Sequence, residues 1–396
     1  MEEIFYRYNP WWEGELNFGH LFSRTGVLDE MKKQLHSKEI VFITGLRRIG
    51  KTSLMKLFIK HLIEEKGIAA KKIFYISLDE YQLSRQSIMQ IITEYRKIHK
   101  ITSKEKIYLF FDEITYKADY EQQLKNLYDS QQVKIYASSS SASLLKEGKP
   151  YLTGRSFVIE VLPLDFEEYL TFKKSIVSKS DPHIREKYFE EFLRSGGIPN
   201  YVLTNNIEYI KELADDIIMK DIAAFHKVRD IQLLKDYFLL LMERSGKVVS
   251  LNKLASILKI APDSAARYYK MFEDTFLIHT VERFGKTTAR VLAPKKIYAA
   301  DLGIRNYFIG FRDKGSLFEN YVYLKIKKFN PQYVYENTAE IDFITQQKTL
   351  IEVKYGGIFS TRQEALFNSF KAREKLVINS EKELEVFLNS YKALYV

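Results

Sequence analysis

No cysteine occurs in the 396 residues, which rules out disulfides and thiolate metal sites. Histidine is scarce as well: the seven are scattered without ligand-like spacing, which argues against a structural zinc centre. Long apolar runs are missing. The longest clean one, YFLLLM at 237–242, falls far short of the roughly 18 residues a membrane span needs. The chain opens acidic and aromatic (MEEIFY), not basic and then apolar, so no secretion signal and no membrane partner are expected, and the cytoplasm is the expected compartment.

What is present is the composition of a globular protein, 46% apolar and 28% charged, in a chain too long for one core. Two or three domains are expected. The formal net charge is +10, and residues 226–296 alone hold fourteen Lys/Arg against seven Asp/Glu. That asymmetry makes a DNA-facing middle segment as plausible as a generally lysine-rich surface.

The strongest local signal is EIVFITGLRRIGKTSLMKLFIKHLIEE at 39–65. A β-rich run (40–44) leads into Gly45, Leu46, Arg47, Arg48, Ile49, Gly50, Lys51 and Thr52, which fit GxxxxGK[ST], and helical spacing follows from Ser53. The two glycines let the backbone turn its N–H groups toward phosphate oxygens, and the helix N-terminus adds partial positive charge. Lys51 then reaches the β- and γ-phosphates of ATP, and Thr52 ligates Mg²⁺. A second run, IYLFF at 107–111, reads as a strand buried on both faces and ends in Asp112-Glu113. Asp112 suits the magnesium and Glu113 the attacking water, a pair made for hydrolysis.

Further strands are expected at 72–78, 133–137 and 157–161, alternating with helices as in a parallel sheet covered on both faces. Ser138, in the serine stretch SSSSASLL, is expected to point at the γ-phosphate, or else to sit in a plain turn. Arg155 is a candidate for stabilising transition-state charge, in the same or a neighbouring subunit of a homo-oligomer. A helical stretch to about residue 226, with a GGIP turn at 196–199, reads as a lid beside the nucleotide.

Residues 235–292 divide into three helices and a hairpin, the pattern of a winged helix. The third helix, opened by Pro262, aligns Ser264, Arg267 and Lys270, and the wing is expected to pair 277–281 with Val291-Leu292 across a turn carrying Arg283, Lys286 and Arg290. Those are the candidate DNA contacts. The same fold also serves as a protein-docking module, with Tyr268 and Tyr269 in its core.

Toward the C-terminus, a helix (317–328), three strands (333–335, 340–344, 349–354), a helix (361–372) and a strand (375–378) follow the order of restriction-endonuclease-like folds. In EIDFITQQKTLIEVKY at 340–355, a three-residue loop pairs Phe343 with Ile351 and Asp342 with Glu352, which puts both apolar sets on one face and both carboxylates on the other. Paired carboxylates attract a cation, so a second divalent metal, Mg²⁺ or Mn²⁺, is a natural occupant, with Lys354 beside it and Glu319 completing the cluster. An alternating hairpin with one wet face carries such charges too.

Across nearly its whole length the chain resembles the archaeal and bacterial AAA+-type ATPases that carry a winged helix and a restriction-endonuclease-like region. The carrying stretches are YNPWWEG, TGLRRIGKTS, FFDE, LTGR, GGIP, AADLGIRN, LFENYVYLKI and EIDFI…IEVKY. The resemblance implies an α/β multidomain protein: an AAA+-like P-loop core (1–165), a helical lid (166–225), a winged helix (226–300) and the nuclease-like domain (301–396). It implies Lys51, Thr52, Asp112 and Glu113 in the roles above, Arg155 as a nucleotide-sensing arginine, and Glu319, Asp342, Glu352 and Lys354 as a PD-(D/E)XK-type set. One departure stands out: the fourth strand ends Ala-Ser-Ser-Ser where such proteins have Thr-Gly-Ser. Two functions are then open. One is a Mg²⁺-dependent ATPase that binds ATP and ADP and governs a DNA-binding, DNA-cleaving C-terminal half. The other is a nucleotide switch that docks a protein partner on a non-cutting scaffold.

Overall fold

Five short strands, β1 (Ile40–Thr44), β2 (Ile73–Ser77), β3 (Ile107–Asp112), β4 (Val133–Ser139) and β5 (Ser156–Glu160), form a parallel sheet in the order β2-β3-β4-β1-β5. Every residue of β1 is buried, as a strand covered on both faces requires. The order reverses beside β1, and in open α/β sheets the crevice at such a switch point, outside the carboxyl ends of the strands, receives the ligand. The computed structural model describes residues 1–19, 21–141, 151–175 and 181–395 in two units, Met1–Val161 and Leu162–Val396. The end of the serine stretch, 142–145, lies outside the described residues. The segments expected as lid, winged helix and nuclease-like domain all fall within the second unit.

The edge strand β2 is shielded by the N-terminal motif. Asn9, fully buried, donates to the Tyr75 carbonyl (2.8 Å) and accepts from the Tyr75 N–H (2.7 Å), acting as one more residue of sheet. Trp11 and Trp12 both donate their indole N–H to the Ile73 carbonyl, at 3.2 and 3.0 Å. YNPWWEG is therefore an edge cover, the usual answer to an unpaired strand. Asn9→Ala leaves two buried backbone groups unpaired and should cost about 2–4 kcal/mol of stability in urea unfolding of the full chain.

In the second unit, the helices Phe166–Phe172, Pro182–Ser195, Pro199–Thr204 and Glu208–Asp216 lead into a π-helical stretch, Ile217–Ala224. Helices Ile231–Glu243, Leu251–Leu258 and Pro262–Asp274 pack with a three-stranded antiparallel sheet, β6 (Lys247–Val249), β7 (Ile278–Val281) and β8 (Lys295–Ala299), ordered β6-β8-β7. Tyr268 and Tyr269 are buried in that core. One expectation fails here. Val291 and Leu292 are not a return strand but the exposed end of a helix, Thr287–Leu292; the return strand is β8, which starts after Pro294. A two-residue apolar run was too weak a signal, and β8 opens with two lysines, which leaves it only a three-residue apolar run.

Two buried polar residues tie distant motifs together. Asn320 accepts from the Ala299 N–H (2.9 Å) and Ser245 Oγ (2.6 Å) and donates to the Ala299 carbonyl (2.9 Å), which fixes ENYVYL against β8. Asp301 accepts from the N–H groups of Gly197 (2.6 Å) and Ile304 (2.9 Å), which ties GGIP to AADLG. A Cβ on Gly303 would lie 1.9 Å from the Ser195 carbonyl oxygen, so this contact requires glycine. Burial pushes the Asp301 carboxyl up from 3.8 to about 6, against the pull of its N–H donors. A raised carboxyl binds its proton better folded than unfolded. Its stabilising contribution is thus complete below about pH 3.8 and is lost as pH rises through about 6. The unfolding midpoint should therefore fall over that window, and Asp301→Asn, which keeps one acceptor, should flatten the dependence.

The C-terminal sheet, ordered β12-β11-β10-β9, follows the expected sequence of elements: helix Lys314–Ile326, β9 (Gln332–Glu336), β10 (Ala339–Ile344), β11 (Thr349–Val353), helix Thr361–Ser369, β12 (Glu374–Ile378) and a last helix, Glu381–Tyr395. β9, β10 and β11 are antiparallel, while β12 runs parallel to β11. Phe343 pairs with Ile351, as the hydrophobic pattern predicts. The strict alternation does not hold, however. The β9 pairing shifts register between Ile341 and Ile344, so Ile341 and Ile344 pack with Leu366 and Phe367 while Phe343 turns toward Tyr298 and Tyr323. Among the described residues no helix is long and apolar enough to cross a membrane.

Candidate active site

The loop after β1 turns at Gly45 (φ 141°) and Gly50 (φ 99°), a region only glycine enters without strain. A Cβ on Gly45 would lie 2.2 Å from the Val161 carbonyl oxygen, whereas one on Gly50 would meet nothing within 4 Å. The first glycine is thus needed for packing and the second leaves open space over the loop. Leu46 and Ile49 anchor the loop in the core, while Arg47 is half-buried and Arg48 exposed. Lys51 and Thr52 then open the helix Lys51–Glu64, with Ser53 behind them.

Lys51 is buried, with its Nζ 3.0 Å from the carbonyls of Gly45 and Leu46 and 2.9 Å from Ser140 Oγ. Thr52 Oγ1 donates to Asp112 Oδ2 at 2.5 Å, so the strand-end carboxylate and the helix-start hydroxyl meet although sixty residues separate them. Tyr75 donates to the same carboxylate oxygen at 2.8 Å. These are hard oxygen donors of the kind Mg²⁺ takes beside substrate phosphates, so Thr52 and Asp112 fit the ion their motifs imply.

Glu113 stands in the left-handed region (φ 50°) and accepts from Ser140 Oγ at 2.9 Å. Burial holds its carboxyl above the ordinary carboxylate range; Lys51 opposes that shift and Asp112 adds to it. A more basic carboxylate is better suited to taking a proton from water.

Two expectations change. Ser138, fully buried, is engaged by the acidic end of β3: it donates to Asp112 and accepts from the Glu113 N–H (3.0 Å). Ser140, two residues on, holds the position between Lys51 and Glu113. Arg155 does not join the site within the chain. It precedes β5, whose first residue pairs with Ile40 at the start of β1, so the whole strand separates it from Gly45–Ser53. Its guanidinium lies 3.4 Å from Asp129 and over the Tyr128 ring. Tyr75 lies in no recognisable motif, and within the serine stretch nothing local distinguishes Ser140 from Ser138; only the parallel register brings the two residues in.

In the C-terminal sheet, the expected acidic residues do converge. Asp342 and Glu352 each accept from the other's strand: the Asp342 N–H donates to Glu352 (3.1 Å) and the Val353 N–H to Asp342 (2.9 Å). Sequence reading missed what stands among them. Lys296, on β8 and only 1% exposed, lies 2.7 Å from Glu319, 2.7 Å from Glu340 and 3.0 Å from Asp342. Burial works against its charge, but the carboxylates outweigh burial and hold the ammonium well above its ordinary value. Burial, with Asp342 beside it, pushes Glu319 up to about 7 and Glu352 to about 8, opposed by Lys296 and Lys354 respectively. Lys354 pairs with Glu352 at 2.7 Å. The cation that the carboxylates call for is thus supplied by lysines. Among the described residues no group of three or more His, Cys, Asp or Glu is arranged to hold a metal ion, so the donor set does not fit the second divalent metal.

The basic residues of the middle segment divide. Arg267 and Lys286 are exposed and Ser264 half-exposed. Lys270 is engaged by Glu273 (3.0 Å) and Asp274 (3.1 Å), Arg290 by Glu282 (3.4 Å), and Arg283 by the Tyr335 carbonyl.

The sequence profile of the AAA domain matches residues 37–170, and that of a domain of unknown function (DUF8612) matches 186–315. The solved Walker-type ATPase paby2304 of Pyrococcus abyssi is similar at 16% identity and a TM-score of 0.45, over 73% of this chain and 96% of that one. On the family match alone, residues 37–170 are an AAA-type P-loop ATPase domain. The uncharacterized protein MJ1544 of Methanocaldococcus jannaschii is 30% identical over 88% of this chain and 81% of its own length. An uncharacterized protein of Haemophilus influenzae is 28% identical over 83% and 84%. The chain belongs to the family of MJ1544.

Because Ser140 joins Lys51 to Glu113, Ser140→Ala should lower the ATP turnover rate about tenfold, equivalent to roughly 1.4 kcal/mol, with the nucleotide Kd little changed.

Proposed function

We propose that this protein is a Mg²⁺-dependent ATPase whose nucleotide state governs its C-terminal half. The observation that carries the hydrolytic reading is the join between the two motifs, Thr52 to Asp112 and Lys51 through Ser140 to Glu113. The N–H groups of residues 45–53 and the Lys51 ammonium bind the phosphates of ATP and offset their charge. Thr52 and Asp112 would hold Mg²⁺, which would supply neutralisation of phosphate charge when bound. Glu113, kept basic by burial, orients the attacking water and draws its proton. Arg155 acts from a neighbouring subunit of a homo-oligomer.

The test is steady-state ATP hydrolysis. Glu113→Gln should retain ATP and lose about 100-fold or more in turnover, while Lys51→Ala should lose binding itself. Equal turnover in wild type and Glu113→Gln would sink the hydrolytic assignment.

For the C-terminal half, the buried Lys296 ammonium favours the scaffold over the nuclease. On this reading residues 231–299 form a winged helix that docks a partner, and the nuclease-like sheet beyond it does not cut. Lys296→Met leaves three carboxylates, Asp342 buried among them, without their cation and should cost about 3–5 kcal/mol, part of it recovered by Mn²⁺ in thermal melts. Wild type should leave single-stranded, duplex and branched DNA intact with Mg²⁺ or Mn²⁺. DNA cutting by wild type that is lost in Glu352→Ala would reverse the choice, and salt-sensitive DNA binding through Arg267 and Lys286 would replace the protein partner with DNA.

A further inference from the structure

A cavity of about 340 Å³ in the second unit is lined by Glu243, Arg244, Lys247, Arg305, Arg312 and Asp313, with Ile309 as its apolar wall. Four secondary-structure features build it: the end of helix Ile231–Glu243, the start of β6, helix Leu302–Ile309 and the turn before Lys314. Four cations face two carboxylates. Both carboxylates are taken, Glu243 by Arg312 (3.3 Å) and Asp313 by Lys247 (3.3 Å). Among the described residues neither Arg244 nor Arg305 has a carboxylate within ion-pair distance, which leaves a surplus of two positive charges.

Arg305 is the unusual member. It belongs to AADLGIRN, and the ATPase reading gives it no task. It is 2% exposed, its Nε is buried without a hydrogen-bond partner, and its Nη1 makes only long contacts of 3.3 Å to Asn306 Oδ1 and the Arg312 carbonyl. Burial works against its charge, Asp313 offsets part of that, and Arg312 adds to it. A buried guanidinium normally has a partner, because desolvating an unpaired charge is expensive. Asp301 caps the helix that carries Arg305, accepting from the Ile304 N–H, so the residue is positioned by a fully buried contact.

We propose that this cavity binds the phosphate or pyrophosphate group of a small molecule, with Arg305 and Arg244 as the anion-holding pair. The guanidinium fork matches a tetrahedral oxyanion, and a dianion cancels the surplus charge. The volume lies at the small end of ligand pockets, about 300–1,000 Å³, which suits a compact phosphorylated ligand and not a duplex. The site is separate from the P-loop, which lies in the first unit.

The test uses the full chain saturated with ADP and Mg²⁺, so that the P-loop is filled, and titrates pyrophosphate by calorimetry. One saturable event is expected, weakened at least tenfold by Arg244→Gln and by Arg305→Gln, and unchanged by Lys253→Gln at an exposed position outside the cavity. If Arg305→Gln does not fold, Arg244→Gln decides alone. No saturable binding with the P-loop filled, or equal Kd in wild type and Arg244→Gln, overturns the proposal. Displacement of pyrophosphate by duplex DNA at equal phosphate concentration also overturns it, because the occupant would then be a nucleic acid.

Discussion

A charge taken out of water must be met by an opposite charge or by several hydrogen-bond partners, and the second half of this chain is organised around that requirement. Lys296 stands among Glu319, Glu340 and Asp342, Lys354 holds Glu352, and Asp301 gathers the N–H groups of GGIP and its own helix. The Lys296 and Asp301 contacts join segments far apart in sequence, so these buried charges act as addresses: a β8 lysine is tolerated in the interior where helix Lys314–Ile326 and the C-terminal hairpin bring its carboxylates. Arg305 breaks this rule, which is why its cavity stands out.

The first unit solves a related problem at the carboxyl ends of its strands. Parallel strands expose their loops at one end, and with β4 between β1 and β3 the loop after β1 meets the acidic end of β3. Lys51 is met by two carbonyls and a hydroxyl, and Asp112 by Thr52, Tyr75 and Ser138. Side chains that imitate backbone complete the frame. Asn9 extends the sheet past β2, and Asn320 pairs with the backbone of Ala299 at the end of β8, so these motifs owe their residue types to hydrogen bonding with a strand and not to a ligand.

The basic middle segment shows how far charge can mislead. Its surplus of positive residues suggested a surface for DNA, yet Lys296 is buried, Lys270 and Arg290 are engaged by neighbouring carboxylates, and Arg283 binds a carbonyl. A count along the chain weighs all lysines alike, whereas packing decides which of them meet solvent.

Much of the fold and most of the contacts at the candidate site were legible in the sequence. GxxxxGK[ST] framed by strand and helix, and an apolar run ending in Asp-Glu, are local: the turn, the helix start and the strand end are dictated by neighbours in the chain. The hairpin register was legible for the same reason, since only one loop length pairs Phe343 with Ile351. What the tertiary structure alone decided is every contact between distant segments. It put Ser140 rather than Ser138 between Lys51 and Glu113, kept Arg155 at the far end of its strand, and carried Lys296 into the carboxylate cluster. Periodicity reports which face of an element is buried, but not which element will cover it, and these roles depend on the covering element.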